Sequence, residues 1–386
     1  MKKVFVLIIS LLLAAFAFTG CGSLFSCGNT SATSTIMTEK PWKNDFNYEQ
    51  VTYDISRYTV AYSENEKGET VFDTDKTVAE GSYTLTLTTI AENIKNSEEF
   101  AALGTDEDFG EYFTNNISKN DSLAETPGAY SVLVAEYTLT YNDDEDNGNY
   151  KGKTDTIKST VLFRNANLMP VFSYKKAELA SSDISYSALA DYVNGINKFT
   201  ENDEARADIS IKENYDNELL YYTVRSLTGI ESGTSTSLNF HNSVESGVYG
   251  KEAVNNMAIS VDTGSYYVNG IDKNDETGFV KDYLGDSVEY IDEEKKAQME
   301  AEAAEEGEEK NISVGYAIPA RIVSVGRNDQ NRGPSTTLAY SSVDFTYYGN
   351  VMKNVLLTVT GYEFDTDTKL ISYMNMITIK DYTIEK

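Results

Sequence analysis

The sequence predicts a mainly β fold of the β-rich α+β class, built on antiparallel sheet with a few short helices. Three observations predict it. Apolar and polar residues alternate with a period of two along several segments, 28 tyrosines accompany many Ser, Thr and Asn residues, and few segments show helical spacing.

The clearest strand is 83–89, where Tyr and Leu alternate with Thr, which is typical of a half-buried antiparallel strand. Segment 133–141 repeats the pattern, and Val132 and Val134 on its other face indicate that both faces are covered at its start. An acidic turn at 142–149 follows. The other predicted strands are 51–62, 155–164, 171–179, 237–241, 258–262, 314–325, 338–346, and a C-terminal hairpin of 355–364 and 370–384 around the polar connection 365–367.

Helical spacing predicts three short helices. One follows a cap at Thr105 and Asp108, one begins at 216–217 and ends before Gly229, and one covers 189–199, weakened by Gly195. Segment 292–310 contains many acids and no apolar stripe, so it is expected to be a solvated helix or a disordered insertion.

The folded part is expected to span 44–386, either as one continuous domain or as two packed lobes, 44–180 and 208–386, with the acidic insertion at 292–310. No Pro-rich or Gly-rich linker lies between 180 and 208.

Residues 1–20 have a basic start, an apolar middle and small residues at the end, which is typical of an export signal. The sequence Phe18-Thr19-Gly20-Cys21 resembles a bacterial lipobox, although the family prefers Leu at the position of Phe18. The resemblance implies that Cys21 carries a lipid and that the chain is extracytoplasmic, held at the membrane by that lipid. The alternative is an uncleaved membrane helix over 4–25. Residues 21–43 are expected to form a flexible tether, in which Cys27 is left without a disulfide partner.

The formal net charge is −29. Such a charge disfavours nucleic acid and anionic lipid head groups as partners. Anchoring is therefore expected to come from the lipid on Cys21.

Two segments, 216–227 and 333–340, look like parts of uncharacterised envelope proteins with long curved antiparallel sheets, and more broadly of lipoprotein carriers of the LolA and LppX type. This resemblance implies a curved sheet or half-barrel around an apolar cavity. It also suggests that Arg164 and Arg225 bind a ligand's carboxylate or phosphate, against the alternative that each pairs with an acid or reaches solvent.

Motifs for catalysis are mostly absent. His241 is the single histidine, so metal sites that need two histidines are excluded. It is expected at the surface, at the end of a strand. Ser173 and Lys176 match a Ser-x-x-Lys spacing by chance, because they lie on a predicted strand without the partner motifs. We therefore expect no enzyme, although 61 acids leave a carboxylate-based glycoside hydrolase open.

No cofactor is expected, with one alternative. Asp143, Glu145 and Asn147 alternate like the start of a calcium loop, but Thr154 stands where the closing glutamate belongs. A polar hairpin turn explains the same residues. The sequence thus favours a membrane-anchored lipoprotein that binds a small apolar or amphipathic ligand or a glycan, with a structural or protein-interaction role as the alternative.

Overall fold

The structure is a computed structural model that describes residues 42–43, 48–64, 70–90, 105, 107–117, 127–227, 233–264, 266–272, 278–305, 312–328, 336–364 and 370–385. Most of these residues are in strands and few are in helices, which confirms the mainly β class.

The strands of the N-terminal half are β1 (Trp42–Lys43), β2 (Tyr48–Glu64), β3 (Thr70–Thr89), β4 (Tyr130–Tyr141), β5 (Thr154–Arg164), β6 (Pro170–Leu179), β7 (Ile184–Asp191), β8 (Ile196–Glu201) and β9 (Glu204–Ala205). The remaining strands are β10 (Ile209–Ser210), β11 (Tyr215–Asp216), β12 (Ser235–His241), β13 (Val254–Val261), β14 (Tyr266–Ile271), β15 (Glu289–Ile291), β16 (Gly315–Arg327), β17 (Thr336–Ser341), β18 (Phe345–Tyr347), β19 (Asn350–Met352), β20 (Leu356–Phe364) and β21 (Ile371–Glu385).

The α-helices are α1 (Glu107–Tyr112), α2 (Leu220–Arg225), α3 (Ser243–Tyr249), α4 (Phe279–Tyr283) and α5 (Glu293–Glu305). The other helical elements are the π-helical turn Phe113–Ile117 and the 3-10 turns Pro127–Ala129, Glu145–Tyr150, Asn217–Leu219 and Gly285–Ser287.

One large sheet contains nearly all of these strands. Consecutive antiparallel pairs run from β2 to β8. On its other edge β2 pairs with β21, and the order continues through β20, β17, β16, β13 and β12. The pairing of β2 with β21 joins the two predicted lobes within one sheet, and the lobe division itself stays a prediction. A separate small sheet has the order β1, β19, β18.

The two ends of the large sheet approach each other. Residues 209–216 bridge them, because β10 pairs with β8 at one end and β11 pairs with β12 at the other. The side-chain amide of Asn197 on β8 donates to the carbonyl of Ser243 on α3 at 3.1 Å. The sheet is therefore rolled, with an inner face that has little contact with solvent.

The inner face packs on the 3-10 turn Asn217–Leu219 and on α2, which follows it. Leu219, Leu220, Tyr222 and Val224 belong to the same buried apolar cluster as the inward side chains of β2 to β8 and of β12 to β21. We call residues 217–225 the inner segment. A second cluster lies on the outer face. There Phe109 and Phe113 cover apolar side chains of β4 to β7, which include Val132 and Val134 of β4. The expected two-sided burial of β4 is thereby confirmed.

Segment 189–199 is not a helix, and this prediction was wrong. It forms the end of β7, a turn at 192–195 and the start of β8. The carboxylate of Asp191 accepts hydrogen bonds from the backbone of Val193 and Asn194, and Gly195 has φ of 66°. A left-handed glycine suits a hairpin turn and not a helix interior.

Two further predictions need adjustment. Segment 338–346 is two strands, β17 and β18, because a turn follows Ser341, whose hydroxyl accepts from the backbone of Val343. Helix α5 confirms the helical alternative for 292–310, but its Ala303 is buried, and Met299 packs on the small cluster around Ile291 and Ile312. The connection 365–367 lies outside the described residues.

Candidate functional site

The first candidate site is the interior of the rolled sheet, around α2. The guanidinium of Arg225 donates to both carboxylate oxygens of Glu49, at 2.8 and 2.9 Å, and its Nε donates to the carbonyl of Lys353 at 2.9 Å. The hydroxyl of Tyr382 donates to the same carboxylate at 2.6 Å. Burial alone lowers the pKa of Arg225, but the adjacent Glu49 more than compensates and raises it. Arg225 therefore keeps its charge in this buried pair.

A second buried pair lies at the start of the inner segment. The ammonium of Lys175 on β6 donates to Glu218 at 3.1 Å, and both side chains have little contact with solvent. Burial lowers the pKa of Lys175, and Glu218 reverses that effect and raises it. The ion pair connects the inner segment to the wall of the sheet.

Asp216 fixes the beginning of the inner segment. Its side chain accepts from the backbone of Glu218 at 2.8 Å, as the sequence predicts for a cap, and from the hydroxyl of Tyr192 at 2.6 Å. Burial first, and then the neighbouring Glu218, raise the pKa of Asp216 to about 6. The cap is thus a buried carboxyl whose charge changes in mildly acidic solution.

The interior contains little free space next to Arg225. A cavity of about 20 Å³ lies between α2 and the wall and is lined by Tyr221, Tyr222, Glu49 and apolar residues of β2, β3 and β4. This volume holds about one water molecule, whereas sites for small ligands measure roughly 300–1,000 Å³. The resemblance to lipoprotein carriers implies an apolar cavity inside the curved sheet. In this structure the inner segment lies in that interior.

The second candidate site is on the outer face, where β2 and β3 extend together with the ends of β20 and β21. The rings of Tyr62 and Phe72 lie 6.3 Å apart, and Phe72 contacts Tyr362 edge to face at 5.8 Å. Tyr62 and Phe72 are 37% and 40% exposed. We call these three rings the distal patch. Exposed, adjacent aromatic rings are suited to contact with an amphipathic partner.

An open groove of about 320 Å³ crosses the outer face of β4, β5 and β6. Side chains of both charges line it, and Lys158 contacts Glu136 at 3.0 Å. Its lining contains the exposed residues Glu136, Thr156, Lys176 and Glu178 and the half-buried residues Thr138 and Lys158. The groove has the size of a ligand site but a polar lining without an exposed ring.

The structure separates the two arginines that the sequence suggests as ligand contacts. Arg225 is buried and paired with Glu49, and Arg164 is exposed and contacts Glu213 at 3.3 Å. Both therefore pair with acids, which is the alternative that surface ion-pair frequencies favour. A role for either arginine in ligand binding stays a prediction.

The suggested calcium residues lie in and beside a helical turn between β4 and β5. Asp143 is exposed and its carboxylate lies close to Gly152, while the side chains of Glu145 and Asn147 are outside the described residues. Across the described part of the chain, no cluster of three or more His, Cys, Asp or Glu side chains has the arrangement of a metal site. Cys21 also lies outside the described residues.

His241 is buried, so the expectation of a surface histidine was wrong. It ends β12 at the place where the sheet ends meet, its Nε2 lies 3.2 Å from the amide oxygen of Asn197, and the ring of Tyr192 contacts it edge to face. Burial lowers the pKa of His241 to about 4. The histidine is therefore neutral at pH 7 and is part of the closure of the sheet. Ser173 and Lys176 of the chance motif point to opposite faces of β6.

None of the helices in the described ranges combines the length and the apolar character that crossing a bilayer requires. No protein-family model and no curated protein matches the chain. Among solved structures, it is similar to a beta-barrel-like protein of the domain of unknown function DUF1849 from Brucella abortus, with a TM-score of 0.38 and 7% identity, over 89% of this chain and 100% of that one. These comparisons assign no family, ligand or activity to this chain.

Proposed function

We propose that this chain is a membrane-anchored extracytoplasmic lipoprotein that binds a small amphipathic ligand or a glycan at the cell envelope, and that the ligand contacts the distal patch. One observation carries the proposal: the inner segment occupies the interior, where the cavity beside Arg225 measures about 20 Å³, while aromatic rings are exposed together at Tyr62 and Phe72. A ligand therefore finds apolar surface on the outside of the sheet.

The position of the patch supports an anchored binding protein. The tether that the sequence predicts would enter the fold at β1, which belongs to the small sheet. That sheet lies near the Glu49 end of β2, because Tyr382 contacts both Phe345 of β18 and Glu49. Tyr62 is 13 residues further along β2. At about 3.3 Å per residue, the patch lies roughly 40 Å from the end at which the tether enters. A membrane-anchored chain would thus present its aromatic surface away from the lipid.

The experiment has a binding part and an anchoring part. The chain from Gly22 onward is tested on a panel of bacterial glycans and amphiphiles, together with Phe72→Ser and Tyr362→Ser. Tyr249→Ser, which removes an exposed tyrosine from α3, is the matched control. We expect a ligand that binds the wild type and the control and is lost in both patch variants.

Two results would contradict the binding proposal. Equal binding by all variants would move the site elsewhere, and Lys176→Ser then tests the groove. No binding by the wild type would favour the alternative of a protein-interaction lipoprotein without a small ligand. Separately, Cys21→Ala should release the full chain from the membrane fraction without unfolding it, and continued retention would indicate the uncleaved apolar helix.

A further inference from the structure

The hairpin of β18 and β19 ends in two adjacent tyrosines. Tyr347 pairs with Asn350 across the turn, and Tyr348 and Gly349 are its central residues. Tyr348 is 83% exposed, and its ring contacts that of Tyr347 at 4.5 Å. Tyr347 in turn packs on Tyr283 of α4 at 5.3 Å, which supports the base of the hairpin. We call Tyr347 and Tyr348 the aromatic tip.

Tyr348 has a backbone conformation that a bulky residue rarely adopts. Both central residues have positive φ, 45° at Tyr348 and 84° at Gly349. Turns of this kind strongly prefer Asn-Gly, because a bulky side chain is disfavoured in the left-handed region. A tyrosine at this place is therefore not explained by the turn itself. Residues held in disfavoured backbone regions cluster at functional sites, so the position of Tyr348 motivates a functional hypothesis.

The aromatic tip belongs to the sheet through which the chain enters the fold. Strand β1 pairs with β19 through Trp42 and Met352, and through Lys43 and Val351. Cys21 precedes Trp42 by 21 positions. A flexible segment of that length spans about 25 Å on average. With the tether that the sequence predicts, a lipid on Cys21 would hold the small sheet, and with it the tip, at about that average distance from the bilayer.

We propose that the aromatic tip inserts into the head-group layer of the membrane that holds the lipid on Cys21, as a second contact that orients the protein. This inference rests on the lipid anchor of the proposed function. Tyrosine rings are favoured at the interface between head groups and water. The net charge of −29 opposes anionic head groups, so the expected lipid surface is zwitterionic. The anchor makes this weak contact intramolecular, so it needs little affinity of its own.

The test uses the single tryptophan of the chain, Trp42. In the Trp42→Phe background, Tyr348→Trp places the only tryptophan at the tip, and Phe72→Trp places it in the distal patch as a control. Both proteins are purified with their lipid and reconstituted into phosphatidylcholine vesicles whose acyl chains are brominated near the head group. We expect a blue shift and strong quenching for Tyr348→Trp, and neither effect for Phe72→Trp.

The outcomes separate the inference from the proposed anchor. If Tyr348→Trp floats with the vesicles but is not quenched, the tip does not insert and the anchor stands. If neither protein floats, the lipid anchor itself is wrong and the inference is overturned with it. Equal quenching of both positions would mean that the protein lies flat, which also contradicts an oriented contact.

A second variant tests whether Tyr348 has a purely structural role. Tyr348→Asn introduces the residue that the turn prefers, so we expect a higher Tm than that of the wild type. A lower Tm would show that the tyrosine is kept for the stability of the hairpin and would overturn the inference.

Discussion

The interior around α2 and the distal patch contain the same kind of aromatic pair in opposite settings. Phe163 and Tyr222 lie 5.8 Å apart in the interior, and Phe72 and Tyr362 lie 5.8 Å apart on the outer face. Phe163 has no exposed surface, whereas Phe72 is 40% exposed. The two pairs have the same ring spacing and differ in burial. The contribution of each pair to the free energy of unfolding therefore depends on how much of its ring surface is removed from water. We therefore expect the inner pair to stabilise the fold and the outer pair to remain available for a partner.

One of the two largest effects is expected for the buried charge of the interior. Glu49→Gln removes the negative partner of Arg225, and an uncompensated buried charge costs about 3–5 kcal/mol of the free energy of unfolding. Urea denaturation measures it. The double variant Glu49→Gln/Arg225→Met removes both charges and should lose less than the single variant. Equal losses would show that the two groups do not act as a pair.

The aromatic pairs give a direct test of the comparison. Phe163→Ala should lower the free energy of unfolding by about 3–5 kcal/mol, since it leaves a cavity in the interior. Phe72→Ala should lower it by less than about 1 kcal/mol, because the ring is already in contact with water. The same urea titration compares both. A large loss for Phe72→Ala would assign the distal patch to stability and would remove the basis for a binding role.

Acid should weaken the closure of the sheet at His241. The pKa of this histidine is about 4 in the folded chain because of burial, and about 6.5 when unfolded. Its contribution to stability is therefore present above pH 6.5 and is lost as the pH falls to 4, by roughly 3 kcal/mol. His241→Gln lacks this dependence, so the stability advantage of the wild type should shrink by that amount between pH 7 and pH 4. A constant difference would contradict the assignment.

Asp216 provides a control of opposite sign for the same pH series. Its folded pKa of about 6 exceeds the unfolded value of about 3.9, so its contribution is present at low pH and is lost as the pH rises through 6. The stability advantage of the wild type over Asp216→Asn should accordingly grow towards acid pH. Parallel behaviour of the two variants would show that neither residue governs the effect.

The smallest effect is expected at the exposed arginine. Arg164 contacts Glu213 at 3.3 Å on the surface, and such pairs contribute about 0–1 kcal/mol. Arg164→Gln should therefore change the urea midpoint very little. Arg225→Gln, which leaves Glu49 buried and unpaired, should change it strongly. Similar effects would mean that burial does not distinguish the two arginines.

The sequence predicts the strands because their side-chain alternation follows directly from one covered face. Strands β4, β5 and β6 lie where the pattern places them. The N-terminal part of β3, from Thr70, is missed because Thr, Asp and Lys in an exposed ribbon leave no apolar period. The turn at 192–195 is missed because apolar residues of two adjacent strands match helical spacing by coincidence. The dipeptide Asn194-Gly195 is the hairpin signal that would have found it.

The interior could not be predicted from the sequence in the same way. The pairs of Arg225 with Glu49 and of Lys175 with Glu218 join residues 176 and 43 positions apart. Periodicity determines which side chains share a face, but it does not determine which faces meet when the sheet rolls. The capping role of Asp216 is local and was predictable, whereas the filling of the interior by the segment that follows depends on long-range closure.

The central position of β21 has a consequence for the biogenesis of the chain. Strand β21 lies between β2 and β20, and Tyr382 contacts Glu49 although the two are 333 positions apart. One edge of β2 therefore stays without its partner strand β21 until almost all of the described chain has been synthesised. An open edge of 17 residues is a template for incorrect pairing, and long-range pairing is slow. Under the export proposed above, this edge would be unpaired during transit, and a chaperone that covers it should raise the yield of folded protein.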